Sequence, residues 1–163
     1  MIVIALGANL PSRAGAPLDT LKAALARLAA QGVHVASVSS YYLTKAWPDP
    51  ADPDFVNAVA RIETTRSPRE LMELLHATEA YFGRTRGAKN APRTLDLDLI
   101  DYDGRIELGP PELPHPRLAD RAFVLVPLEE LSPSWRHPAT GALIAELLLA
   151  LAPDKRKIAK LGS

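Results

Sequence analysis

The sequence predicts an α+β fold in which an antiparallel sheet is backed by helices. Three observations point to it. Strand-length segments at 2–6, 33–44, 54–64 and 95–102 are interleaved with two longer stretches of helical periodicity. Turn signals rich in glycine and proline separate them. Finally, 163 residues with 47% hydrophobic and 23% charged side chains suit one core, burying roughly 70% of the unfolded surface. No repeat, low-complexity tract or long linker divides the chain, so residues 1–163 read as a single domain.

Residues 2–6 form a continuous apolar run, as expected of a strand buried on both faces, and Gly7-Ala8-Asn9-Leu10-Pro11 ends it. Pro17 suits a first helical turn, and Leu18, Leu21, Leu25 and Leu28 recur at helical spacing until Gly32. From Val33 to Thr44 the β-branched and aromatic residues predict one long strand, with Pro48, Pro50 and Pro53 marking the loop beyond. In the strand at 54–64, Val56, Ala58, Ala60 and Ile62 share one face, while Phe55, Asn57, Val59, Arg61 and Glu63 share the other. One face packs, leaving the other for chemistry. Ser67-Pro68-Arg69-Glu70 is a capping box, and the helix it opens carries Leu71, Leu74, Leu75, Thr78 and Phe82 inward before Gly83 stops it. A strand from Leu95 to Tyr102 closes at Asp103-Gly104, and helices are expected near 121–131 and 140–151. The leading order β-α-β-β-α-β is that of the ferredoxin-like arrangement.

Composition narrows the function classes. Nineteen basic and nineteen acidic residues cancel, so no long-range field gathers nucleic acid or an anionic membrane, and neither is expected as a partner. No apolar run approaches the roughly 18 residues a membrane span requires. The N-terminus reads as a strand rather than a signal peptide, which makes a cytoplasmic location the expectation. With no cysteine, the strong metal ligands are carboxylate and imidazole, favouring hard cations. The basic run 155–160 reads as a solvated tail, and His34, His76 and His137 as structural or solvent-facing.

Charge is concentrated locally. Arg84, Arg86, Lys89 and Arg93 crowd ten positions, and Asp96, Asp98, Asp101 and Asp103 follow. In a strand, Asp96 and Asp98 lie on one face, about 7 Å apart along the chain, while Leu95, Leu97 and Leu99 point the other way. On a helix the same pair would stand about 200° apart. Two such carboxylates repel and call for a cation, and magnesium, which takes one or two carboxylates plus phosphate oxygens and water, suits them. Guanidinium groups beside a metal are what polyphosphate transfer uses.

The segment Pro92-Arg93-Thr94-Leu95-Asp96-Leu97-Asp98 closely resembles the signature of the 6-hydroxymethyl-7,8-dihydropterin pyrophosphokinases of folate biosynthesis. The resemblance extends through Leu6-Gly7-Ala8-Asn9-Leu10, Phe55-Val56-Asn57-Ala58, Gly83-Arg84-Thr85-Arg86, Pro114-His115 and Arg121-Ala122-Phe123. It implies a ferredoxin-like enzyme that transfers the β,γ-diphosphoryl group of ATP to the pterin hydroxymethyl group, releasing AMP, with two Mg²⁺ ions. It further implies that Asp96 and Asp98 are metal ligands and that Arg84 and Arg93 stabilise the moving phosphates. Arg86, Glu79, Leu99, His115 and Arg121 become ATP-binding positions; Thr44, Trp47, Phe55, Asn57 and Phe123 become pterin-binding positions. Phe55 and Phe123 would flank the ring and Asn57 would read its amide edge. Glu79 is placed on the helix face opposite Leu71 and Leu75. A monomer is expected.

One departure stands out: Asn90-Ala91 replaces the tryptophan and glycine that many members carry before the signature proline. Two alternatives accompany the reading, a two-metal phosphodiesterase and a non-catalytic pterin- or nucleotide-binding module of the same fold.

Overall fold

The computed structural model describes residues 1–85, 91–156 and 158–162. Six strands, β1 (Ile2–Ala8), β2 (His34–Val38), β3 (Tyr42–Thr44), β4 (Phe55–Glu63), β5 (Asp96–Tyr102) and β6 (Ala159–Lys160), form one antiparallel sheet. Its order is β5-β1-β4-β3-β6, with β2 also pairing β4. Since β4 lies between β1 and β2, helix α1 (Pro17–Ala30) is a crossover, and α2 (Pro68–Tyr81) carries the chain from β4 across β1 to β5. The βαββαβ core is therefore present.

Both crossover helices are bounded as their sequences dictate. The Ser67 hydroxyl accepts from Glu70 N–H at 3.3 Å while Glu70 accepts from Ser67 N–H at 2.7 Å, closing the capping box. At the other end of α2, Gly83 adopts φ +84°, its N–H donates to Ala80 C=O, and Arg84 N–H donates to Glu79 C=O. This Schellman geometry, which a Cβ would strain, brings Arg84 back alongside the helix it has just left.

The helices α1 and α2 bury Leu21, Leu25, Leu28, Leu71 and Leu75 against Ile4, Leu6, Ile62, Leu97 and Leu99 on one sheet face. On the opposite face α3 (Ala122–Leu131) and α4 (Ile144–Ala150) place Val124, Leu125, Leu128 and Ile144 on Val3, Val59 and Ile100. The face of β4 that the alternation leaves for chemistry is thus divided. Val59 is core under the C-terminal helices, and only Phe55 and Asn57, nearer the strand's start, stand beside the polar end of β5.

Three expectations are revised. The long strand 33–44 is two strands, because the chain breaks at Ser39-Ser40-Tyr41: Ser39 turns its backbone and hydroxyl to Val59, and Ser40 binds Glu130. The tail is not wholly solvated, since β6 adds to the free edge of β3 and Lys160 lies 3.4 Å from Glu130. The last helix begins at Ile144 rather than 140 because His137 to Gly141 form a hydrogen-bonded turn first. In β5 a register shift opposite Val3 and Ile4 sends Asp101 toward the C-terminal layer, where it accepts from Trp135 Nε1–H at 2.8 Å.

Both partners of that bond are buried, so losing it strands a carboxylate oxygen. Trp135→Phe should cost about 2 kcal/mol. Thermal denaturation should show it as a Tm lower by roughly 4–8 °C; an unchanged Tm would mean that the bond contributes nothing net.

Candidate active site

The polar end of the sheet is assembled by strand register. Gly7 faces Asn57 of β4 on one side and Asp96 of β5 on the other, and Ala5 stands between Val59 and Asp98. Asp96 and Asp98 are partly open, whereas Leu95, Leu97 and Leu99 are buried, so the two carboxylates share a face as alternation requires. Gly7 keeps that face clear. A Cβ there would lie 3.1 Å from Asn57 Oδ1, 3.8 Å from Phe55 Cδ1 and 4.0 Å from Asp96 Cβ. One missing side chain therefore joins the two groups of residues into a single groove.

Guanidinium groups bracket the carboxylates. Arg84 Nη1 lies 2.5 Å from Asp96 Oδ1 and from Glu79 Oε1, and Arg93 Nη1 lies 3.0 Å from Asp96 Oδ2. Arg121 Nη1 approaches Asp98 Oδ2 at 2.5 Å. Phe55 and Phe123 are each tied to this network through an arginine. The Arg93 guanidinium is 5.8 Å from the centre of the Phe55 ring, and that of Arg121 is 5.6 Å from Phe123. Phe123 sits in the first turn of α3 and Phe55 at the start of β4, so the two rings come from separate elements.

Glu79 corrects an expectation. It does not lie opposite Leu71 and Leu75; it follows Leu75 by four residues, continues the inward stripe, and is only 5% exposed. Its Oε1 accepts from Leu97 N–H at 2.7 Å and from Arg84, pinning α2 to the strand between the two aspartates. Burial outweighs the Leu97 amide and Arg84, with Asp96 and Asp98 adding repulsion, and pushes the Glu79 carboxyl up to about 7. Burial opposes the charge on Arg84 too, but Asp96 and Glu79 more than offset it and raise its pKa.

His115 lies 3.8 Å through Nε2 from Asp98 Oδ2, too far for a hydrogen bond. Burial lowers its pKa against the pull of Asp98, with Arg121 and Arg117 adding to the lowering, so the ring is neutral at pH 7. Nδ1 accepts from Arg117 N–H at 3.1 Å, which leaves the proton on Nε2 facing the carboxylates. Beside it, a cleft of about 240 Å³ is lined by Ile106, Leu108, Leu113, Pro114 and His137. A larger hollow of about 430 Å³ lies at the opposite end of β1, around Met1, Arg61 and Asp103, away from the carboxylates.

The remaining candidates divide. Asn57 Nδ2 donates to Thr44 Oγ1 at 2.8 Å, joining β4 to the end of β3 and leaving Oδ1 toward Gly7. Trp47, on the loop between β3 and β4, is 69% exposed. The Leu99 side chain, at 2% exposure, belongs to the core under α1 and α2. Arg86 and Asn90 lie outside the described residues. Asn9, which the sequence places in a turn and in a segment of the family resemblance without a role, accepts from Arg93 N–H at 2.8 Å and donates to Pro53 C=O at 3.0 Å.

The donor set fits magnesium. Among the described residues no group of three or more His, Cys, Asp or Glu side chains could enclose a metal, which disfavours an all-protein cage. Two carboxylates on one face, backed by arginines, match a hard ion that completes its shell with water and phosphate oxygens. Buried polar atoms without a hydrogen-bond partner include Arg121 Nε and Thr94 Oγ1, both beside these carboxylates in sequence or space.

The raised Glu79 pKa has a stability consequence. Between about 4.5 and 7 the folded chain holds a proton that the unfolded chain releases, so this contribution is full below the lower value and lost through the upper one. Glu79→Gln mimics the protonated form. Denaturant titrations should find parent and variant similar at pH 5, with the variant gaining relative stability as the pH rises to 8. A constant difference across that range would refute the raised pKa.

Residues 3–133 match the family of 7,8-dihydro-6-hydroxymethylpterin-pyrophosphokinases. The chain is 43% identical over 148 residues to a 2-amino-4-hydroxy-6-hydroxymethyldihydropteridine pyrophosphokinase of Synechocystis, covering 90% of this chain and 73% of that one. It is 37% identical over 154 residues to the protein of that name from Haemophilus influenzae, covering 93% of each. The corresponding protein of Pseudomonas aeruginosa is 36% identical over 151 residues, covering 91% of this chain and 90% of its own. With most of the fold matched, the signature strand included, the chain belongs to the 7,8-dihydro-6-hydroxymethylpterin-pyrophosphokinase family.

Proposed function

We propose that this chain transfers the β,γ-diphosphoryl group of ATP to the hydroxymethyl group of 6-hydroxymethyl-7,8-dihydropterin, giving AMP and the pterin diphosphate. The observation that carries the reading is the juxtaposition, across Gly7, of the paired carboxylates of β5 with Asn57 and Phe55 of β4.

Asp96 and Asp98 are assigned as the residues that hold magnesium, two ions in this reading, which supplies neutralisation and alignment of the phosphate oxygens. The chain's own groups do the rest. Asp96, Asp98 and Glu79 are matched by Arg84, Arg93 and Arg121, so the network is close to neutral before any ligand arrives. Were the carboxylates to hold a cation, the arginines would be free to pair with anionic oxygens. Arg84 and Arg93 then face the phosphates in transit, Arg121 and the His115 Nε2–H bind the triphosphate, and the apolar cleft beside His115 suits the adenine base. The substrate hydroxyl attacks the β-phosphorus, the bond to the α,β-bridging oxygen breaks to release AMP, and the hydroxyl proton passes to solvent. No side chain is placed as a general base, so positioning and charge stabilisation carry the rate.

Phe55 and Phe123 are assigned to the two faces of the pterin ring and Asn57 Oδ1 to its amide edge, with Thr44 fixing the Asn57 amide. Trp47 would cover the ring only if its loop folds inward. ATP as co-substrate makes the cytoplasm the natural compartment, and a monomer is the proposed working state.

Incubation with ATP, Mg²⁺ and the reduced hydroxymethylpterin should yield AMP and a diphosphorylated pterin by mass analysis. Inorganic phosphate or pyrophosphate as the sole phosphorus product would point instead to a hydrolase, and binding without product to a non-catalytic module. Asp98→Ala should retain the fold by circular dichroism and lose about 10³-fold or more in turnover, as removal of a metal ligand does; near-parental turnover at saturating Mg²⁺ would remove Asp98 from the metal site. Arg93→Ala should lower kcat while leaving pterin affinity largely intact, and an equal loss of pterin binding would place Arg93 elsewhere.

A further inference from the structure

We infer that Asn9 is a positioning residue that couples the phosphate side of the site to the pterin side. The inference rests on the function proposed above only for which substrate each side serves; the coupling itself stands on geometry.

Asn9 follows β1 directly and is 3% exposed. Its two side-chain ends go to segments far apart in sequence. Oδ1 accepts from Arg93 N–H, 84 positions away, and Nδ2 donates to Pro53 C=O, 44 positions away. The backbone completes the grip on Arg93, whose C=O accepts from Asn9 N–H at 3.1 Å and Leu10 N–H at 3.2 Å. Both peptide groups of Arg93 are therefore held by one turn. With its backbone held and its Nε donating to Ala91 C=O, the Arg93 guanidinium has little freedom other than the position on Asp96 and beside Phe55 that it occupies. Pro53 precedes Phe55 by two residues, and Phe55 pairs with Thr44, so the second bond sets where β4 begins and how its first aromatic presents itself.

No other residue type makes both contacts from this position. Aspartate keeps the acceptor and loses the donor, alanine loses both and leaves the Arg93 N–H unpaired, and glutamine is one methylene too long for a side chain closed in on all sides. Asn9 thus makes one rigid unit of two loops that the sheet alone would leave independent.

Hydrogen exchange of the ligand-free protein tests the coupling without reference to activity. At pH 8, Asn9→Ala should speed exchange by about tenfold or more in both the 48–55 and the 91–95 segments, since each loses a buried hydrogen bond. Asn9→Asp should speed the first segment alone, because its carboxylate still accepts from Arg93 N–H. Acceleration of only one segment in Asn9→Ala, or of neither, overturns the inference whatever reaction the protein catalyses. Kinetics then separate positioning from general destabilisation. Asn9→Ala should lower kcat and raise the pterin Kd, each about tenfold. In an Arg93→Ala background it should leave kcat within about twofold while still weakening pterin binding, the non-additivity expected of a residue acting through Arg93. Ser39→Ala, which removes a buried hydroxyl remote from the groove, serves as the control for destabilisation and should leave both constants unchanged. Full additivity of Asn9 and Arg93 in kcat, or equal kinetic losses in Ser39→Ala, would show Asn9 to be merely structural. Absence of AMP and pterin diphosphate from the parent protein would sink the proposed reaction while leaving the exchange result to decide the coupling.

Discussion

Two carboxylates that leave one face of a strand two residues apart repel one another, and much of this molecule's polar architecture sets cations against them. Asp96 is held by Arg84 and Arg93, Asp98 by Arg121, and Glu79 sits behind them, bound to the amide of the intervening Leu97. The three arginines come from three places: the Schellman turn after α2, the segment leading into β5, and the residue that opens α3. The acidic strand and its surroundings consequently specify one another. Removing the Arg121 guanidinium would leave the partly buried Asp98 without its arginine partner, which costs more than the ion pair itself contributes.

The same arrangement accounts for how the groove could serve an anionic substrate. Ion pairs within a protein hold their members in place but leave them exchangeable when a stronger partner arrives. Were the aspartates to hold a divalent cation, the arginines now paired with them would be free to meet the oxygens of a polyphosphate. The neutral His115, with its Nε2 proton kept on the side of the carboxylates by the Arg117 amide, adds a donor that brings no charge of its own.

The scaffold contributes by subtraction as much as by contact. Helices α3 and α4 cover the sheet face over Val3, Val59 and Ile100, and the polar row begins where that cover ends. At that boundary Gly7 withholds a side chain, so Asn57, Phe55 and Asp96 border one space. The β5 bulge brings Asp101 round to the face that carries Asp96 and Asp98, but beneath the C-terminal helices, where its bond with Trp135 makes it a structural carboxylate distinct from the two that face the groove.

Local chemistry is what the sequence settled. The capping box at Ser67, the glycine stops at Gly32 and Gly83, the inward leucines of both helices and the alternation that aligns Asp96 with Asp98 all depend on neighbours within a few residues, and each is present. The family signature likewise was legible as a string. What depended on residues far away was not: the break of 33–44 into two strands follows from Glu130 and Val59, the addition of β6 from a free edge on β3, and the burial of Val59 from helices that come after it in the chain. Glu79 lies between these cases, since its spacing from Leu75 announced the buried stripe but only the packing of α2 on β5 gave it a partner and a shifted pKa. Asn9 marks the limit most clearly. A turn asparagine looks the same in sequence whether it meets water or joins two loops, because hydrogen-bond partners 44 and 84 positions away exist only once the sheet has brought them there.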